Sequence, residues 1–429
     1  MAQLRPEARD LSAPASSLHI VSFRISGGIF GETKKLVFPV SSNSAREPNI
    51  LILSGKNGSG KTTILRMLFG IQRLDFDVFR QIPFLDAALE LSDGSSLTVH
   101  HTGNPVFPLD VRFGFYQALL HGDKSKADYS VAQQAAIDVF RQAATPILGQ
   151  LNIELLDIHR SFALRTPELA AWKARYDVER NVVYRSPAEP PDEQDSLSSR
   201  VRNFVREAQV NYRKFFAADE LELLPRILER FDSPQGTSTP PELLARIRAV
   251  QAGLESMKRF GLQSDDADLK ALSDVLLSNR QFNTQSLTLI EAYVEQQENR
   301  AKARELIANR LLGFESIMDD FLVHKTVRID ARSGLQIKAD EGPLKETQLS
   351  SGEYHFLYMM VAALLCQRSG TLIAIDEPEL SLHAEWQRKV VGALTKCAAG
   401  ASPTFLFATH SAAISAQYSD KIYSLTPVE

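Results

Sequence analysis

Residues 49–62 read NILILSGKNGSGKT, and this stretch restricts the fold more tightly than any other. NILIL is apolar at nearly every position, as suits a central parallel strand covered on both faces. It runs into Gly55-Lys56-Asn57-Gly58-Ser59-Gly60-Lys61-Thr62, after which TILRMLFG continues with helical spacing. Strand, GxxxxGKT loop and helix in that order commit the chain to an α/β, P-loop NTPase architecture. Glycines at 55, 58 and 60 let backbone N–H groups curl around phosphate oxygens at a helix N-terminus, where the dipole favours negative charge. Asn57, Ser59 and Thr63 belong to the same cradle. Lys61 would reach the β- and γ-phosphates, and Thr62 would offer its hydroxyl to Mg²⁺. Asn57-Gly58-Ser59 also spells a glycosylation sequon, but a glycan there would block the loop.

Towards the other end, TLIAIDEPE (371–379) sets an apolar strand ahead of two acids. Asp376 at the strand end can hold Mg²⁺ through water, and Glu377 is placed to polarise an attacking water. TFLFATHSAAI then gives a third buried strand ending in Thr409-His410-Ser411. His410 can donate to a γ-phosphate oxygen and sense its loss. Between the half-sites, TQLSSGEYHF (347–356) opens a long apolar helix with Ser350, Ser351, Gly352 and Glu353. Serine hydroxyls and free N–H groups at a helix start make a second anion site. The same residues also spell a capping box closed by Glu353, and the two readings coexist.

The ordered set GKNGSGKT, LSSGE, LIAIDEPE, SLH and ATHS resembles the ABC-type ATPases, in the soluble branch that includes RecF, SMC and OLD-like proteins. The layout looks like the compact AAA-family ATPases of prokaryotic anti-phage systems such as Septu, PARIS and retron modules. The motifs cover residues 18–70 and 326–429 well and the middle loosely. The resemblance implies ATP and Mg²⁺ as cofactors and an ABC ATPase head carrying a helical insertion. It makes LSSGE the ABC signature, Glu377 the catalytic glutamate, Ser381-Leu382-His383 the D-loop and His410 the switch histidine. In that family the signature of one subunit caps the γ-phosphate held by the other, so Ser350, Ser351 and Gly352 would act in trans. A homodimer closed on ATP follows, with higher oligomers left open. The family pattern also asks for a Gln-bearing loop after a strand, and no clear one is found. His159 and Arg160 are the positional candidates, with Gln117 as an outsider.

The resemblance further implies a separate effector, commonly a nuclease, gated by ATP-dependent dimerisation in anti-phage defence. The alternative is a DNA-repair or chromosome-maintenance ATPase of RecF type that binds DNA directly. A transporter subunit fits less well, given the large insertion and the DEPELSLH form. No TOPRIM nuclease is expected after His410, and no HNH-like cluster appears among the nine histidines.

Three segments are expected: 1–165 as the N-terminal ABC lobe, 166–325 as a helical insertion, and 326–429 as the C-terminal lobe with the signature. Residues 84–102 suggest a hairpin around Asp93-Gly94, and 152–159 a strand ending at His159-Arg160. Residues 186–198 look like a linker. Helices are expected over 199–231, 241–261 and about 284–324. In the last, Leu287, Ile290, Val294, Ala301, Ala308, Leu311, Met318 and Leu322 keep 3-4 spacing, while Gln297, Arg304 and Glu315 interrupt the seam. TVRIDARSGLQIKAD then alternates around Ser333-Gly334 as a hairpin.

The net charge of −4 gives no global case for nucleic acid. Arg200, Arg202, Arg206, Arg213 and Lys214 could meet phosphates, yet acids nearly balance them and a solvated face is the plainer expectation. Cys366 and Cys397 have no metal-ligand spacing and suit core thiols. The N-terminus lacks the apolar segment of a signal peptide, and FLYMMVAALLC (356–366) is too short to span a bilayer. No membrane partner and a cytoplasmic location are therefore expected.

Overall fold

The computed structural model describes residues 18–39, 48–123, 129–157, 196–232, 238–262, 267–278 and 281–425. The chain divides into two compact units, one drawn from residues 1–190 and 349–429, the other from 191–348.

The first unit opens with strands β1 (Ile20–Ser26), β2 (Lys34–Val37) and β3 (Asn49–Ser54), then helices α1 (Lys61–Gln72) and α2 (Asp77–Gln81). β4 (Asp86–Leu91), β5 (Ser96–His101), β6 (Leu109–Phe113), β7 (Tyr116–Leu120), α3 (Val131–Leu148) and β8 (Ile153–Leu156) follow. Six of these strands form an antiparallel sheet in the order β2-β1-β4-β5-β6-β7. The hairpin expected over 84–102 is β4 and β5, with Leu89 opposite Leu97. Its turn is made by Gly94 at φ 83° and by the Asp93 carboxylate, which accepts from the Ser95 N–H at 2.9 Å.

The second unit holds α4 (Leu197–Asp232), α5 (Pro240–Leu254), α6 (Ala267–Leu277) and α7 (Thr284–Phe321), followed by β9 (Lys325–Asp330), β10 (Gly334–Ala339) and β11 (Gly342–Leu344). α4 and α5 pack along α7, and the strands form a sheet in the order β11-β10-β9. The polar residues that interrupt the α7 seam are buried: Gln297, Arg304 and Glu315. Glu315 explains its own position, because its two oxygens accept from the Ile329 N–H at 2.6 Å and the Arg259 guanidinium at 2.6 Å. A buried carboxylate must find such donors or pay desolvation. The hairpin over 325–339 therefore packs on α4 and α7, with Val327, Ile329, Leu335 and Ile337 buried. Residues 326–348 fall in this unit, whereas the sequence reading put them at the start of the C-terminal lobe. The expected linker at 186–198 lies outside the described residues as far as 195, and Leu197 already opens α4.

The chain returns to the first unit with α8 (Ser351–Leu365), β12 (Leu372–Asp376), α9 (Ala384–Cys397), β13 (Thr404–Thr409) and β14 (Ile422–Ser424). α8 is buried continuously from Tyr354 to Leu364, which accounts for its apolar run; each such Leu, Met or Phe is worth roughly 1.5–3 kcal/mol. The second sheet has the order β14-β3-β13-β12-β8, and every pairing in it is parallel. Ile50 lies opposite Phe405, and Ile373 lies between Phe405 and Glu154. This is an α/β P-loop fold with a helical insertion. Because the strands run in one direction, the residues after β3, β13, β12 and β8 emerge along one edge, where open α/β sheets bind ligands. Among the described residues, no helix is long and apolar enough to cross a membrane.

Candidate nucleotide site

The phosphate loop leaves β3 and enters α1 through Gly60 at φ 91°, with Gly58 at φ 82°. L-residues with a Cβ rarely adopt these angles. At Gly60 space also forbids one, since a Cβ would come within 2.5 Å of the buried Phe30 ring. No side chain caps α1, so its first N–H groups are not met by a protein side chain. Lys61 is 6% exposed, and its ammonium donates to the carbonyls of Gly55 at 2.7 Å and Lys56 at 3.2 Å. Among the described residues, the buried Ser59 Oγ has no hydrogen-bond partner. An uncapped helix start, an orphaned hydroxyl and a buried ammonium fit a polyphosphate. Asn57 and Gly58 are exposed on the loop, and Thr63 is half-buried on α1.

Thr62 follows Lys61, and its hydroxyl donates to Asp376 Oδ1 at 3.1 Å. Asp376 ends β12 and is 8% exposed. Burial pushes its pKa up to about 6, with the neighbouring Asp157 and Glu377 raising it further while Thr62 and Arg66 oppose the rise. A carboxylate under such strain is stabilised by a cation, and Thr62 with Asp376 is a donor pair suited to Mg²⁺, which keeps most of its waters. Asp157, at the end of β8, pairs with Arg66 at 3.1 Å. It follows the strand after which the family pattern asks for a glutamine; the sequence shows only an acid directly after that strand, and its place beside Asp376 comes from the pairing of β8 with β12. His159 and Arg160 lie outside the described residues. Gln117 is corrected: it sits on β7 in the antiparallel sheet, where its amide donates to both oxygens of Asp110 at 2.9 and 3.0 Å.

Glu377 begins the turn after β12 at φ 50°, and its N–H donates to the Ala408 carbonyl at 2.8 Å. A positive φ in a non-glycine residue stores strain and recurs at functional sites. His410 Nδ1 lies 3.6 Å from Glu377 Oε1 and 3.4 Å from Glu379 Oε1. The structure thus brings Glu377 and His410 together, through loops following adjacent strands.

At LSSGE, Ser350 caps α8 and accepts from the Glu353 N–H at 3.3 Å, while the Glu353 carboxylate accepts from the Ser350 N–H at 2.8 Å. The capping box is therefore real, and it leaves Ser350 and Ser351 exposed. Gly352 has a steric reason: a Cβ there would lie 2.3 Å from the Ser381 carbonyl. Ser381 itself takes φ 62°. His383 is exposed at the head of α9, its ring edge-on to Trp386 at 6.4 Å. Cys366 and Cys397 are buried thiols, and among the described residues no group of three His, Cys, Asp or Glu gathers as a metal site.

The family described as "AAA domain, putative AbiEii toxin, Type IV TA system" matches residues 170–416, more than half of the chain. The chain belongs to that family. The matched stretch contains LSSGE, Asp376, Glu377 and His410 and leaves the phosphate loop outside it. Two similar solved structures are SMC heads. One, from Pyrococcus furiosus, has an extended coiled coil and is bound to the C-terminal domain of ScpA; it is 13% identical over 95% of this chain and 93% of that one, with a TM-score of 0.41. The other, an SMC head bound to the C-winged helix domain of ScpA, is 11% identical over 95% and 94%, with a TM-score of 0.39. Likenesses this distant add nothing to what the strand order shows. No curated protein is similar enough to match.

In this AAA family member, Glu379 and Gln387 join Asp157 as residues that motif reading passed over. Glu379 is two residues beyond the acid pair and 5% exposed. Gln387 on α9 donates to the Leu382 carbonyl at 3.0 Å and accepts from Ser411 Oγ at 3.1 Å. Together they tie the turn after β12 to the loop after β13.

Proposed function

We propose that this chain is an ATPase, splitting ATP to ADP and phosphate with Mg²⁺, and that ATP closes two copies into a sandwich whose closure regulates a separate effector, a nuclease in anti-phage defence. The observation that carries the reading is the 3.1 Å contact between Thr62 and Asp376 beside the Glu377 and His410 pair, at one edge of a parallel sheet.

Each group has a definable task. The loop N–H groups and Lys61 bind and orient the β- and γ-phosphates, work that positioning and electrostatics largely accomplish in phosphoryl transfer. Thr62 and Asp376 would hold Mg²⁺, whose charge would offset that developing on the phosphate oxygens. Glu377 accepts a hydrogen bond from the attacking water and draws off its proton. His410 donates towards the γ-phosphate, and its proximity to Glu377 couples phosphate loss to the base. Ser350, Ser351 and the head of α8 offer N–H and O–H donors to the partner copy's γ-phosphate. Their exposure and self-contained cap support a role towards another molecule. The toxin–antitoxin wording of the family description accords with a system in which another component acts.

The deciding experiment is steady-state ATPase rate against protein concentration. Specific activity should climb with concentration as dimers form and fall away on dilution. Full activity in a strictly monomeric sample overturns the sandwich. Rates with and without duplex DNA separate the readings further: stimulation by DNA favours direct DNA engagement over control of an effector.

A further inference from the structure

We infer that Glu379 is a positioning residue that fixes His410 against Glu377 by anchoring the backbone of the loop after β13. The inference rests on the ATPase reading above and deepens it at the same site.

A single oxygen of Glu379 gathers the loop. Its Oε1 accepts from the Thr409 hydroxyl at 2.7 Å, the His410 N–H at 3.0 Å and the Ser411 N–H at 3.1 Å. His410 Nδ1 stands 3.4 Å from the same atom. The other oxygen, Oε2, is buried with no hydrogen-bond partner among the described residues. A carboxylate held this deeply costs free energy unless its donors are well placed, so all its bonding is concentrated on Thr409-His410-Ser411. Gln387 completes the tie by donating to the Glu379 carbonyl at 3.4 Å while accepting from Ser411. The same turn reaches the head of α8, since the Ser381 carbonyl lies 2.3 Å from where a Cβ of Gly352 would be. Glu379 therefore stands between the signature helix and the switch histidine of its own chain. Displacement of Ser381 when a partner engages α8 would reach His410 through this anchor.

Three substitutions separate anchoring from bulk stability. Glu379→Gln keeps the accepting Oε1 and should hold the loop, whereas Glu379→Ala removes it and Glu379→Asp draws the carboxylate back out of reach. Two readouts are needed: ATPase kinetics, and amide hydrogen exchange of a peptide spanning 405–416 in nucleotide-free protein. Expected are faster exchange in the Ala and Asp variants and near-wild-type exchange in Gln. For Ala and Asp, kcat should fall on the order of 10²-fold, the scale of an ångström-sized misplacement, with ATP affinity falling far less, because the loop N–H groups and Lys61 still hold the phosphates. In a His410→Ala background, Glu379→Ala should lower kcat little further, because the two act as a unit. Should Glu379→Ala not fold, the Asp variant carries the comparison. Unchanged exchange and turnover in the variants, or a full additive loss without His410, overturn the role of Glu379. Wild-type protein that shows the exchange pattern but splits no ATP removes the ATPase reading instead.

Discussion

Thr62 Oγ1 stands 3.1 Å from Asp376 Oδ1 across 314 residues of sequence. The contact joins the first turn of α1 to the end of β12, and the whole insertion lies between them in the chain. Asp376 accepts this bond while burial and two flanking acids press it towards its neutral form. Such a carboxylate is poised for a cation and ill-suited to its absence.

Lys61→Ala should abolish ATP binding. Its ammonium is buried and donates to the Gly55 and Lys56 carbonyls, so the substitution removes the buried cation of the cradle without breaking the core. Titration with a fluorescent ATP analogue should show a loss of affinity of 100-fold or more, about 2.7 kcal/mol or greater. Wild-type affinity would contradict Lys61 as the phosphate ligand.

Glu377→Gln should retain ATP binding and trap a closed dimer, with turnover lowered on the order of 10² to 10³-fold, as for loss of one well-placed polar group. Sedimentation with ATP and Mg²⁺ measures the dimer and phosphate release measures the rate. Turnover equal to wild type would remove Glu377 from its role.

Ser350→Arg should block closure while sparing binding by the isolated subunit. Ser350 is exposed, and its bonds stay inside the capping box, so the longer side chain meets only what approaches α8 from outside. ATP affinity should stay near wild type while the ATP-dependent dimer disappears. Persistence of that dimer would show that α8 does not face a partner.

His355 gives a pH test. It is 1% exposed on α8, neither ring nitrogen has a hydrogen-bond partner among the described residues, and burial pushes its pKa down to about 4. The unfolded chain protonates it near 6.5, so below that pH the unfolded state binds more protons. The stability cost is absent above about pH 6.5, grows as pH falls, and levels off near pH 4. His355→Leu should therefore gain stability over wild type on going from pH 7.5 to pH 5, by on the order of 2 kcal/mol. Thermal unfolding of both proteins at the two pH values checks it, and a gap independent of pH would refute it.

Much of the secondary structure was legible because its causes are local. The NILIL strand, the 84–102 hairpin, the helix starts near 241 and 284, and the buried run of α8 each follow from composition or period within a few residues. The α7 seam was legible only in part. Gln297, Arg304 and Glu315 look like interruptions in a linear pattern, yet Glu315 is buried because β9 supplies an N–H and Arg259 a guanidinium. Those donors come from elsewhere in the chain, and no periodicity announces them. For the same reason the hairpin at 325–339 looked like part of the C-terminal lobe until its apolar face was seen against α4 and α7.

By itself the sequence determined the chemistry on offer: a lysine and threonine behind glycines, two acids after an apolar strand, a histidine after another, and a serine-rich helix start. These follow from side-chain type and spacing, which are properties of the chain in one dimension. Only the tertiary structure decided that β13 enters between β3 and β12, because strand order is set by which apolar faces can be covered together. That insertion places Thr409-His410-Ser411 beside Glu377 and Glu379, while β8 on the other edge of β12 brings Asp157 beside Asp376. The tasks of Glu379 and Asp157 exist only once those neighbours have arrived, since a carboxylate is defined by the donors and charges that surround it.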